Sequence, residues 1–112
     1  MAKMAFWITA GPELEEKALA GMVLASRLKK NRGQDVEVYF FGPGVKLVGS
    51  SSERVKEALS MLKDAQVVGS YCPFNAQQYS VEDAVSGAGL QPEPAGEALV
   101  RLVEQGYQVV GY

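Results

Sequence analysis

A chain of 112 residues, 47% of them hydrophobic, has room for one core and no second one. Its formal net charge of −2 gives no electrostatic reason to hold a polyphosphate backbone, so no nucleic acid is expected as a partner. With no histidine and one cysteine, the chain cannot build a Ser-His-Asp triad, an internal Cys-His pair, a four-thiolate or histidine-bearing zinc site, or an internal disulfide.

Residues 4–9 form a nearly continuous apolar run, which predicts a strand buried on both faces of a parallel sheet. Ala10-Gly11-Pro12 ends it. Pro12 opens a helix over residues 13–31, with Glu13, Glu15 and Glu16 at its positive dipole end. Leu14, Ala18, Met22, Ala25 and Leu28 share one stripe of that helix, and Leu19, Val23 and Leu24 widen it. The cations Arg27, Lys29, Lys30 and Arg32 complement its negative end, and Gly33 stops it. Residues 36–41 predict a second strand, ended by the tight turn Gly42-Pro43-Gly44. Ser51 or Ser52 caps a helix over residues 54–63 that carries Val55, Leu59 and Leu62 inward. A third strand over residues 66–71 stops at Cys72-Pro73, and a short helical turn begins at Ser80. Gly87, Gly89, Pro92 and Pro94 mark a loop with room for one short strand at residues 89–91. An amphipathic helix over residues 95–105 turns Leu99, Leu102 and Val103 inward; Gly106 closes it, and residues 107–110 form the last strand.

Alternation of this kind predicts a single domain over residues 1–112. Its class is a small flavodoxin-like, three-layer α/β/α fold with a mostly parallel sheet of about five strands. No apolar run approaches the roughly 20 residues of a spanning helix. The apolar part of the N-terminus is too short for a signal peptide. The expectation is a cytoplasmic chain with no membrane partner.

In doubly wound sheets ligands bind outside the carboxyl ends of the strands. Three segments converge there: Thr9-Ala10-Gly11-Pro12, Gly42-Pro43-Gly44 and Cys72-Pro73-Phe74-Asn75. Pro73 suits the first position of a helical turn, which makes Cys72 its cap. A sulfur placed there meets free backbone N–H groups and a positive dipole, and both favour thiolate. Such a thiolate accepts a sulfur atom as a persulfide, forms a mixed disulfide or oxidises to sulfenic acid; alternatively the cysteine is a small buried hydrophobe. Gly42-Pro43-Gly44 lacks the Lys-Ser/Thr end of a P-loop and the spacing of a dinucleotide fingerprint. It is either a bare turn or a backbone wall donating N–H groups to an anion near Cys72. Thr9 and Gly11 have the same standing. Asn75 bonds either the sulfur or the loop backbone. Tyr71, Phe74 and Tyr79 wall a pocket or, together with the Leu90 loop, form a subunit interface. Glu82 and Asp83 read as helix-start residues. No cofactor or metal is expected.

The turn Phe40-Phe41-Gly42-Pro43-Gly44-Val45, the lone Cys72 after the third strand and the closing Gly106-Tyr107-Gln108-Val109-Val110 together resemble the DsrE/DsrF-like family. That group includes sulfur-relay proteins of dissimilatory sulfur metabolism and of tRNA thiolation. The resemblance implies a compact α/β fold that assembles into dimers, trimers or hexamers. It also implies a cysteine, matched here by Cys72, that carries sulfur as a persulfide between donor and acceptor proteins. The leading expectation is therefore a sulfur carrier of sulfurtransferase-like character. The alternative is a non-enzymatic module that binds a nucleotide, flavin or small anion, or a regulatory oligomer subunit.

Overall fold

The computed structural model describes all 112 residues, Met1–Tyr112. Five strands form one sheet: β1 (Lys3–Ile8), β2 (Asp35–Phe40), β3 (Val68–Tyr71), β4 (Gln91–Pro92) and β5 (Gln108–Gly111). Their order is β4-β3-β2-β1-β5, and every pairing is parallel. Six helices connect them: α1 (Glu15–Arg32), α2 (Val45–Val48), α3 (Glu53–Asp64), α4 (Pro73–Gln78), α5 (Glu82–Gly87) and α6 (Ala95–Glu104). No helix is long and apolar enough to cross a membrane.

Local chemistry sets the helix ends. Pro12 opens α1 through a 3-10 turn, Pro12–Leu14, that carries Glu13. Gly33 closes α1 in the left-handed region at φ 65°, and the N–H groups of Gly33 and Gln34 return to Lys29 and Leu28. Lys29, Lys30 and Arg32 lie in its last turn, where cations meet the negative dipole end. The Ser52 hydroxyl caps α3 by accepting from the Val55 N–H.

The two faces of the sheet are unequal. One carries the main core: Phe6, Ile8, Val36, Val38, Phe40 and Tyr71 from the strands meet side chains of α1 to α5. On the other face a small cluster joins Tyr39 and Cys72 to Ala98 of α6, with Trp7 and Ala95 against it. Register explains this partition. Trp7, Tyr39 and Ser70 are cross-strand neighbours and point the same way, whereas Ile8, Phe40 and Tyr71 form the next row and point the opposite way.

Winding accounts for the asymmetry. The chain steps outward from β1 to β2 to β3 to β4, and the helices of those steps pack into the main core. It then returns across the sheet through α6 alone to place β5 beside β1. The connections after β3 and after β4 therefore leave on opposite faces. The strand order reverses between β1 and β5, so the switch point of the winding lies at that pair, two strands from the end of β3.

Burial on α6 corrects one sequence expectation. Its inward residues are Ala98 and Leu102, whereas Leu99, Val100 and Val103 are exposed, Val103 by 60%. Leu99 and Val103 form a second i, i+4 stripe that no neighbouring helix covers, because α6 has none on its face. Leu14 and Leu24 of the α1 stripe are likewise exposed. The Gly42-Pro43-Gly44 turn continues directly into α2, a short helix that the sequence pattern does not mark.

Close approach fixes Gly44. A Cβ there would lie 1.9 Å from the carbonyl oxygen of Ile8, a backbone atom that cannot yield. Gly44→Ala is therefore expected to destabilise the fold by about 3 kcal/mol or more. Gly96→Ala, at an exposed helical position with nothing within 4 Å, is expected to stabilise it by about 0.5 kcal/mol. Denaturant unfolding of the two variants checks both signs.

Candidate functional site

The three convergent segments do meet. β1, β2 and β3 are adjacent and parallel, so the loops after them sit side by side. The Phe41 N–H donates to the Ile8 carbonyl and the Cys72 N–H to the Phe40 carbonyl, extending the ladder by one bond on each side. Gly11 is buried against the Pro43 ring and carbonyl, and Gly44 lies against the end of β1. Thr9 is exposed at this rim. Gly42 takes φ 58°, a left-handed conformation that favours glycine.

Asn75 settles its own alternatives. Its side-chain oxygen accepts the Gly42 N–H at 2.8 Å, and its amide donates to the Gln78 side chain at 3.1 Å. It ties the loop after β2 to α4 instead of bonding the sulfur. The Gly42 N–H, a candidate anion donor on sequence grounds, is thus occupied by Asn75.

Cys72 occupies the cap position of α4, with Pro73 at the first helical position. Its backbone carbonyl accepts from Ala76, while its side chain makes no capping hydrogen bond. The residue is only 4% exposed. The sulfur-bearing side chain packs with Tyr39 and Ala98, and the principal surface clefts are lined by other residues. Phe74, next along α4, is 67% exposed. Tyr71 packs into the main core, and Leu90 packs against that core as well. Tyr79 stands under the Lys46 ammonium, 5.0 Å from its ring centre.

Sequence reasoning misses what closes over the cysteine. Tyr39 donates its hydroxyl to the backbone carbonyl of Glu93 at 2.6 Å, and the Glu93 N–H donates to the Tyr71 carbonyl at 3.0 Å. Arg101, one turn beyond Ala98 on α6, holds Glu93 through two N–H···O contacts of 2.9 and 3.0 Å. The same guanidinium reaches Glu37 of β2 at 2.9 and 3.3 Å and Gln105 at 3.0 Å. The hydrogen bonds it donates to Glu93 and Glu37 hold the guanidinium well above its already high ordinary pKa. The one visible signal is Glu37 itself, a lone carboxylate inside the apolar run of β2 that needs a cationic partner. Beside this network, Trp7 lies 4.5 Å from Tyr39 and 5.4 Å from Phe41 between ring centres. Its indole N–H is buried without a partner, an arrangement that costs about 1–3 kcal/mol.

Burial first, then the nearby Cys72, raise the Tyr39 phenol above its ordinary pKa. Burial and the Asp35 carboxylate do the same for Tyr107, whose hydroxyl donates to Asp35 at 2.9 Å. A raised folded-state pKa stabilises the protonated form. That contribution is fully present below about pH 10, the unfolded value, and is lost as pH rises through the folded-state values. Ultraviolet titration of the chain should show phenolate signal above the ordinary range that disappears in Tyr39→Phe and Tyr107→Phe. Asn75→Ala, which orphans the Gly42 N–H, should lower stability by about 1–2 kcal/mol in denaturant unfolding.

Comparisons with known proteins agree with this architecture. A solved structure of a conserved protein of unknown function from Bacteroides thetaiotaomicron superposes with a TM-score of 0.79 at 15% identity, over 96% of this chain and 94% of that one. The ychN protein of E. coli superposes with a TM-score of 0.79 at 13% identity, over the full length of both chains. At these identities the likeness is one of fold. A search among curated proteins finds no match. The model of the DsrE/DsrF-like family matches residues 2–112, and the chain therefore belongs to that family.

Proposed function

We propose that the chain is a sulfane-sulfur carrier that holds its cargo as a persulfide on Cys72. The observation that supports this most is the placement of the only thiol: it stands at the N-cap position of α4 at the carboxyl end of β3, on the rim where the loops after β1, β2 and β3 lie side by side. Membership of the DsrE/DsrF-like family points the same way. In the step proposed, the Cys72 thiolate attacks the terminal sulfur of a donor persulfide. A Cys72 Sγ–S bond forms, the donor's S–S bond breaks, and the electron pair leaves with the donor thiolate. An acceptor thiolate then attacks the same terminal sulfur and regenerates the Cys72 thiolate. No net oxidant or reductant is consumed. Thr9, Gly11, Gly42, Gly44 and Asn75 serve as scaffold around the cysteine, with Asn75 and the glycines fixing the loops.

A second reading has one observation in its favour. Cys72 is buried and packed in a small apolar cluster, as expected of a structural cysteine in a binding or regulatory module. Under either reading the chain works in the cytoplasm as a homo-oligomer. Leu99, Val100 and Val103 on α6 and Phe74 on α4 offer exposed apolar surface for a second copy to cover.

Intact mass separates the two readings. After exposure to a polysulfide donor, the carrier gains about 32 Da, one sulfur atom, which reductant or cyanide removes and which Cys72→Ser lacks. A folded chain that never gains the adduct, while its denatured form does, belongs to the second reading. Light scattering after gel filtration should give a multiple of the chain mass. A monodisperse monomer at high concentration would overturn the self-association.

A further inference from the structure

We infer that the segment Glu93-Pro94-Ala95 is a cover over Cys72, latched shut by Arg101 and Tyr39. The inference rests on the carrier reading for its purpose but not for its mechanics. Cys72 shares its buried cluster with Ala98 of α6, and Ala95 packs against that cluster. Ala95 begins α6 just after Glu93 and Pro94, and Pro94, its N-cap, makes no side-chain capping bond.

Little else fastens that segment to the sheet. β4 is an edge strand of two residues, paired to β3 only through Ser70↔Gln91 and Tyr71↔Pro92. The Glu93 N–H adds one backbone bond to Tyr71. The remaining ties are made by side chains: the Tyr39 hydroxyl on the Glu93 carbonyl, and the Arg101 fork gripping the Glu93 carboxylate while anchored on Glu37 of β2. Arg101 has 32% of its side chain exposed, and the carboxylates of Glu37 and Glu93 are 15% and 22% exposed. This is a partly wet ionic latch, strong enough to order the segment yet open to competition from water, salt or a charged partner. A short edge strand with few backbone bonds belongs to the low-stability end of local opening. When the latch releases, the cover swings away with the start of α6, and the sulfur faces solvent while β3 and α4 stay in place.

The rate at which a disulfide reagent such as DTNB labels Cys72 in the folded chain, set against global stability from denaturant unfolding, tests this. Arg101→Gln should label about tenfold faster than the parent chain, and by a larger factor than its global unfolding constant rises. Tyr39→Phe keeps the ring packing and removes the bond to Glu93 together with the hydroxyl's interaction with Cys72; it should shift labelling in the same direction. Arg54→Gln, which breaks an exposed ion pair with Glu16, should leave the rate unchanged. Trp7, the chain's single tryptophan, packs on the same cluster and should show red-shifted emission in the unlatched variants. Equal labelling rates in all four chains, or acceleration only in proportion to lost global stability, would overturn the latch. Should Arg101→Gln fail to fold, the labelling rate of Tyr39→Phe decides the matter by the same criterion. Labelling is independent of sulfur loading. A fast-labelling Arg101→Gln that never gains sulfur leaves the latch standing and removes the carrier reading; a chain that loads sulfur without any change in labelling does the reverse.

Discussion

The structure depends on one constraint of winding. An all-parallel sheet needs a crossover for each strand, and here every connection from β1 to β4 falls on one face. Only the return from β4 to β5 supplies a helix to the other face. A single ten-residue helix, α6, cannot cover five strands with side chains alone. Its residues at the Tyr39 and Cys72 cluster are small, Ala98 and the partly buried Ala95, and Leu102 is its one large inward side chain. Its outer apolar residues stay uncovered. The second face is held by a cluster of three buried residues and a guanidinium between two carboxylates, where the first is held by eighteen packed residues.

That difference decides which parts of the molecule are rigid. The main core buries Phe40, Ile8, Met22, Leu47 and a run of valines almost completely. Burial of this kind contributes roughly 1.5–3 kcal/mol for each large side chain. The loops after β1 and β2 are fixed to that core by geometry that tolerates no side chain, as the contact of Gly44 with Ile8 shows. The Asn75 bond to Gly42 then ties α4 to the same rigid rim. Cys72 therefore has an immobile side, made of β3, α4 and the Gly42 turn, and a side whose fastening is ionic and partly wet. A site between a fixed wall and a loosely fastened one controls access by moving the second.

The first side is legible in the sequence and the second is not. Strand runs, the proline and glycine stops, the Ser52 cap and the convergence of Thr9, Gly42 and Cys72 follow from local chemistry, and local chemistry is enough to place them. Pro73 predicts Cys72 at the N-cap position of a helix, where it stands, but the expected bonding of the sulfur to the free N–H groups is not made. Periodicity misjudges the inward face of α6 because it favours the larger residues, Leu99 and Val103. The register instead turns Ala98 and Leu102 to the sheet, and nothing in the spacing ranks two i, i+4 stripes when no second helix is present to choose between them. Spacing alone offers Asn75 a loop or the sulfur, because its true partner is a backbone N–H 33 residues away in sequence. The Arg101 network joins residues 8 and 64 positions apart, a pairing no window of the sequence contains. Its only local trace is a charged residue, Glu37, in a strand that should be apolar.

Under the proposed carrier function, close packing links cargo to conformation. A persulfide adds a sulfur atom to a side chain already confined by Tyr39 and Ala98, and interiors packed at crystal density accept an added atom only by displacing a neighbour. The wall that yields is the one held by Arg101 and not the one held by the sheet. A loaded Cys72 thus favours the open cover, and an open cover favours loading, because the two equilibria share one free energy of coupling. A carrier built this way shields its empty thiol from stray oxidants and presents the sulfur once it is there. On that proposal a cysteine at 4% exposure serves as the sulfur carrier because its burial is set by the weaker of two walls.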